Sequence, residues 1–98
     1  MKRFRVALLA NLKVNAPKFE GMAEDQWDDL DSEKTILSLV DAIRAGGHIC
    51  EFFEGNSTLF ETLPKFRPDI CFNICEGHFG DAREAQVPAI LEMMRIRY

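Results

Sequence analysis

The densest chemistry in the chain lies in Glu76-Gly77-His78-Phe79-Gly80. A carboxylate and an imidazole stand two residues apart among glycines. Glu76 could act as an acid or base or hold an ammonium group, and His78 could serve as a general base. A helix start follows, so the backbone amides of this loop and the positive end of the helix dipole could bind an anion. The plain alternative is a tight glycine turn carrying two solvated side chains. Asp28, Asp31 and Glu33 form a second acidic group. They could hold a cation or an amine, or else cap a helix and decorate a solvated loop. Trp27, the sole tryptophan, lies beside them and would anchor this segment to the core or to a partner.

The elements that must position these residues follow from periodicity. Phe4 to Ala10 is a short, nearly continuous apolar run, as expected of a strand buried on both faces. Residues 11–30 show no clear period. Ile36, Leu39, Val40 and Ile43 then fall at i, i+3, i+4, i+7, which predicts a helix capped by Asp31 or Ser32 and ended by Gly46-Gly47. His48 to Glu54 reads as a second strand. Leu59, Leu63 and Phe66 mark a second helix that Pro64 loosens and Pro68 stops. Asp69 to Ile74 reads as a third strand. Asp81-Ala82-Arg83-Glu84 has capping-box spacing ahead of a third helix, with Val87, Leu91 and Met94 on its core face and Pro88 near its first turn. Arg95 to Tyr98 reads as the start of a fourth strand.

Strands alternating with helices predict an α/β fold: a three-layer parallel sheet of three to four strands with three helices, one domain over residues 1–98. In such sheets ligands bind beyond the carboxyl ends of the strands. The loops there are 11–30 and 75–82, which hold the two candidate groups.

Composition narrows the function. The 98 residues carry 12 Lys+Arg and 16 Asp+Glu, a net charge of −4, which speaks against a phosphate-tracking nucleic-acid binder. Seven acids between Lys18 and Lys34 give that stretch −5, so the acidity belongs to one segment. No apolar run approaches the roughly 20 residues of a bilayer span, and Val6 to Ala10 is too short for a signal peptide. Cys50, Cys71 and Cys75 read as free thiols in a reducing cytoplasm. His48 and His78 do not supply the clustered ligands zinc would need, so no metal site is expected. There is no Gly-x-Gly-x-x-Gly after the first strand and no Walker lysine pattern. A phosphorelay receiver would need acids after the first strand and an Asp ending the third, where Asn11 and Asn73 stand.

The run from Arg67 to Met94, and Phe72 to Leu91 above all, resembles the amino-terminal, pre-ATP-grasp domain of D-alanine–D-alanine ligase-like ATP-grasp proteins. Asp31-Ser-Glu-Lys-Thr35, followed by a helix ending Ala-Gly-Gly-His, resembles the first helix of the same domain. The resemblance implies a Rossmann-like lobe of an ATP-dependent carboxylate–amine ligase, with peptidoglycan biosynthesis as one setting. In that family ATP phosphorylates one carboxylate and a second amine attacks the acylphosphate. The position that is His in typical members aligns with Glu76, a change of charge and of proton-donor capacity. The acid that receives the substrate ammonium aligns near Asp28 to Glu33, and without gaps falls on Asp28.

The resemblance therefore implies substrate binding by Glu76, His78 and one of Asp28, Asp31 or Glu33, with no catalytic or cofactor-binding residue in this chain. ATP and Mg²⁺ are expected only for a full-length member, so the lobe is expected to be inactive alone. The expected ligand is an amino-acid-like small molecule. The expected partners are the ATP-grasp lobes or another copy of the chain, with no nucleic acid and no membrane. A stop within the fourth strand would expose an edge if that strand lies beside the first. The alternative is a non-catalytic α/β module that binds a small molecule or a protein.

Overall fold

A computed structural model of the chain describes residues 2–98. Three parallel strands form one sheet: β1 (Arg5–Ala10), β2 (Ile49–Glu54) and β3 (Ile70–Asn73), in the order β2-β1-β3. Three helices connect or follow them: α1 (Glu33–Ala45), α2 (Leu59–Phe66) and α3 (Arg83–Met94). No helix among the described residues is long and apolar enough to cross a membrane.

The unbroken apolar run Val6 to Ala10 of β1 has its reason in the topology. β1 is the central strand, and side chains alternate across it to two cores. Ala7 and Leu9 pack with Leu59, Leu63 and Phe66 of α2 and Val87 and Leu91 of α3. Val6, Leu8 and Ala10 pack with Ile36 and Val40 of α1 and Cys50 of β2. Helices therefore cover both faces, giving three layers. The register pairs Leu8 with Phe52 on one side and Phe72 on the other.

The i, i+3, i+4, i+7 stripe of α1 is used as written: Ile36 and Val40 are buried, and Leu39 and Ile43 pack against the same core. Of the two cap candidates, Ser32 takes the role, its Oγ accepting from Thr35 N–H at 3.2 Å. Gly47 ends the helix at φ 92°, a left-handed conformation, and donates to Arg44 C=O at 2.9 Å. His48 turns out to be structural: Phe4 N–H donates to its Nδ1 at 3.0 Å, joining the amino ends of β1 and β2.

Four expectations are corrected. The capping box at Asp81 does not form: Ala82 is the residue before α3, and no side chain caps it. Asp81 is therefore one position too early to reach the free amides of the first turn. Pro88 is the sixth residue of α3, in its second turn rather than its first, so it removes one interior hydrogen bond. Arg95 to Tyr98 is not a strand. Arg95 turns the chain at φ 57°, and a single backbone bond, Cys71 N–H to Arg97 C=O at 2.8 Å, attaches this segment to the outer side of β3. Finally, β1 has no free edge, because β2 and β3 flank it. A segment that follows α3 meets β3, so loss of a fourth strand cannot bare β1.

The two-sided burial of β1 sets a stability expectation. Leu9→Ala should cost about 2–5 kcal/mol by urea unfolding, whereas Leu37→Ser on the exposed side of α1 should stay within about 0.5 kcal/mol.

Candidate functional site

One side chain joins the carboxyl ends of all three strands. Asn11 follows β1 directly and is 1% exposed. Its Nδ2 donates to Gly55 C=O at 3.0 Å, and its Oδ1 accepts from Gly77 N–H at 2.7 Å. Gly55 follows β2, and Gly77 lies in the loop after β3. A carboxamide offers donors and an acceptor at once, and this position uses one of each. Gly77 sits at φ +80°, and a Cβ there would lie 2.6 Å from the Arg83 carbonyl oxygen, so the loop passes tightly beneath the start of α3. Glu54, at the end of β2, adds a second tie. Its carboxylate accepts from Leu12 N–H at 2.9 Å and from Asn15 Nδ2 at 2.6 Å.

Residues 17–30 return across this end as a strap. Trp27 is 6% exposed and packs with Ala16, Leu30 and Met22 in a small core of its own. Its Nε1 donates to Pro17 C=O at 2.8 Å. Arg83 fastens the strap to α3. Its guanidinium carbon lies 5.3 Å from the Trp27 ring centroid, its Nε donates to Glu76 C=O at 3.2 Å, and a terminal nitrogen lies 3.8 Å from Asp29. His78 meets the Trp27 ring edge-on, with centroids 6.1 Å apart. The Nε2 of His78 is buried without a hydrogen-bond partner.

The five predicted residues divide. Glu76 and His78 meet the strap, as their loop position suggested. Glu76 is half-buried, and its pKa is raised, first by a hydrogen bond with Glu84, then by burial and the charges of Glu84 and Asp29; Arg83 opposes these. Asp31 is half-buried, and burial raises its pKa. Its C=O accepts from Lys13 N–H at 2.9 Å, which brings it beside Leu12. Asp28 is taken up by an exposed ion pair with Lys13 at 2.5 Å. Glu33 opens α1 and lines a separate groove of about 370 Å³ with Leu12, Phe52 and Arg44. The acid that reaches the Glu76 environment from the strap is Asp29, next to the one singled out from the sequence.

Asn11, Asp29, Arg83 and Glu84 are the residues of this end that the sequence reading did not select. The half-buried thiol of Cys75 lies nearby, its pKa pushed up to about 12 by desolvation and by the charges of Glu54, Asp31, Cys71 and Glu76. Such a thiol is protonated and a poor nucleophile. Among the described residues, no three His, Cys, Asp or Glu side chains converge to hold a metal ion. The arrangement sets two carboxylates, Asp29 and Glu76, near the Arg83 guanidinium, which chemically suits a small ligand carrying both an amine and an acidic group.

No protein-family model matches the chain, and no solved structure matches it. An uncharacterized protein, y4sG, from Sinorhizobium fredii (strain NBRC 101917 / NGR234) is 36% identical over 69 residues. The match covers 62% of this chain and 20% of that protein, so the chain spans only a small part of the relative's length.

Asn11→Ala should leave the Gly77 N–H and the Gly55 C=O unpaired and cost about 2–4 kcal/mol, since each buried orphan costs about 1–3 kcal/mol. Amide exchange at Gly77 should speed up more than exchange in α1. A second expectation concerns pH. Folding raises the Glu76 pKa, so the folded chain keeps a proton that the unfolded chain releases. The stability from this group is full below the unfolded pKa and falls as pH rises through the folded one. Glu84→Gln should bring the Glu76 pKa down in a carbon-detected titration and flatten that fall in urea midpoints.

Proposed function

We propose that the chain is the substrate-binding lobe of an ATP-dependent carboxylate–amine ligase of the D-alanine–D-alanine ligase-like kind, built on a Rossmann-like pre-ATP-grasp fold. The observation that carries the reading is the meeting of the 76–80 loop with the acidic strap at the carboxyl ends of a β2-β1-β3 parallel sheet. Strand order reverses at β1, and ligands of open α/β sheets bind at such a switch point. Asn11 Oδ1 and Gly77 N–H tie the loops together at that point. The acids around it fit the ammonium group of an amino acid. Glu76 in place of a histidine makes this mouth more acidic than in a typical D-alanine–D-alanine ligase.

The nucleotide and Mg²⁺ belong, in this reading, to lobes outside these residues. A match confined to 20% of a longer protein agrees with a lobe of a larger chain. Phosphoryl transfer needs positioning and charge neutralisation by metal and cations, and the acidic mouth described here contributes neither to a triphosphate. The task left to this lobe is to orient the amine-bearing substrate.

Nitrogen-detected NMR titration with D-alanine, L-alanine and dipeptide amines tests the reading. Binding in about the millimolar range is expected, since one lobe supplies only part of the contacts. Shifts should centre on Glu76, Gly77, Asp29 and Asp31 and be lost in Glu76→Gln. Micromolar binding of ATP·Mg²⁺ by this chain would overturn the assignment of the nucleotide to other lobes.

A further inference from the structure

The amino ends of the strands carry a groove that the proposed function does not use. Phe4, Pro68, Ile70 and Ile96 form its apolar floor, Lys2, Arg95 and Arg97 stand around it, and its volume is about 710 Å³. Ile70 is 40% exposed there. Among the described residues, none of these three cations has a carboxylate within ion-pair distance. Asp69 also lines the groove, its Oδ2 accepting from Arg5 N–H at 2.8 Å, so three cations stand against one carboxylate. The groove therefore suits an apolar side chain with acids beside it.

The strap at the other end of the sheet has that chemistry. Phe19 is 56% exposed and is followed by Glu20, Glu24 and Asp25, all exposed and all without an ion-pair partner among the described residues. The same chain cannot bring the two together. The strap leaves the carboxyl end of β1 and the groove begins at its amino end, roughly 20 Å apart along six strand residues. We propose that the strap of one copy docks Phe19 and its unpaired acids into the basic groove of a second copy, head to tail. This contact does not rest on the ligase reading.

The geometry has a consequence for assembly. Groove and strap are different surfaces, so each contact leaves one of each free and the association is open-ended rather than a closed two-fold dimer. Its ion pairs are exposed, so it is weak and salt-sensitive.

Sedimentation velocity tests it with the whole chain. The average mass should rise with protein concentration at about 20 mM salt and return to that of a monomer at about 0.5 M, where screening is short-ranged. Arg95→Ser with Arg97→Ser should weaken self-association at least about tenfold, and so should Glu20→Gln, Glu24→Gln and Asp25→Asn together. All five positions are exposed, and circular dichroism checks that both variants remain folded. The decisive sample is their mixture. The groove variant keeps an intact strap and the strap variant an intact groove, so the mixture should form a 1:1 dimer and stop there. A wild-type chain that stays monomeric at low salt overturns the proposal. So does association that both variants retain, or a mixture no heavier than its parts.

Discussion

The carboxamide of Asn11 is the joint on which the upper end of this fold depends. Three parallel strands end together, and each must hand its chain to a loop that no longer has ladder partners. A buried backbone group without a partner costs about 1–3 kcal/mol, so the loops after β2 and β3 need a polar group brought in from β1. Asn11 supplies a donor to Gly55 and an acceptor to Gly77 from one planar group. An aspartate of the same shape would lack the donor and would bury a charge. The left-handed turn at Gly77 is held against the start of α3 by the same bond, which sets where Glu76 and His78 leave the sheet. The candidate site is thus placed by a core residue rather than by its own side chains.

The elements were legible in the sequence where a single physical signal dominated. The apolarity of Val6 to Ala10 required burial on both faces, which only a central strand provides, and the 3.6-residue stripe of α1 survived intact. The signals that failed were local motifs overruled by tertiary placement. Asp81-Ala82-Arg83-Glu84 has the spacing of a capping box, but Arg83 and Glu84 are drawn toward Glu76 and the strap, and the helix begins after Ala82. Pro88 was expected where a missing donor is harmless, yet α3 accepts it in the second turn because Val87 and Leu91 are buried on either side of it. The last four residues have strand-like composition, but only one backbone bond to β3 holds them.

For the site, the loop was legible and its partners were not. Glycines bracketing a carboxylate and an imidazole at the end of a strand are visible in one dimension. Which of five neighbouring acids reaches them depends on how the strap folds back, and that is set by Trp27. Once the indole is buried and its Nε1 is bonded to Pro17, Asp28 falls opposite Lys13 and Asp29 falls toward Arg83. In the sequence Asn11 shows only as the absence of an acid, since a buried asparagine announces nothing until its two partners are known.

Burial of Trp27 also answers how residues 11–30 can be ordered without a helical or strand period in their sequence. Ala16, Met22, Trp27 and Leu30 are too few and too widely spaced to show a period, yet together they close a core that the sheet does not share. The rest of the attachment is polar: an arginine over the indole, a loose pair to Asp29, and an exposed pair at Asp28. Exposed pairs contribute only about 0–1 kcal/mol each. The strap is therefore held mainly by one buried tryptophan and by Arg83, which also contacts the site loop. Arg83 therefore couples the docking of the strap to the position of the 76–80 loop. The imidazole of His78 meets the same indole edge-on, so burial of Trp27 also fixes the site loop.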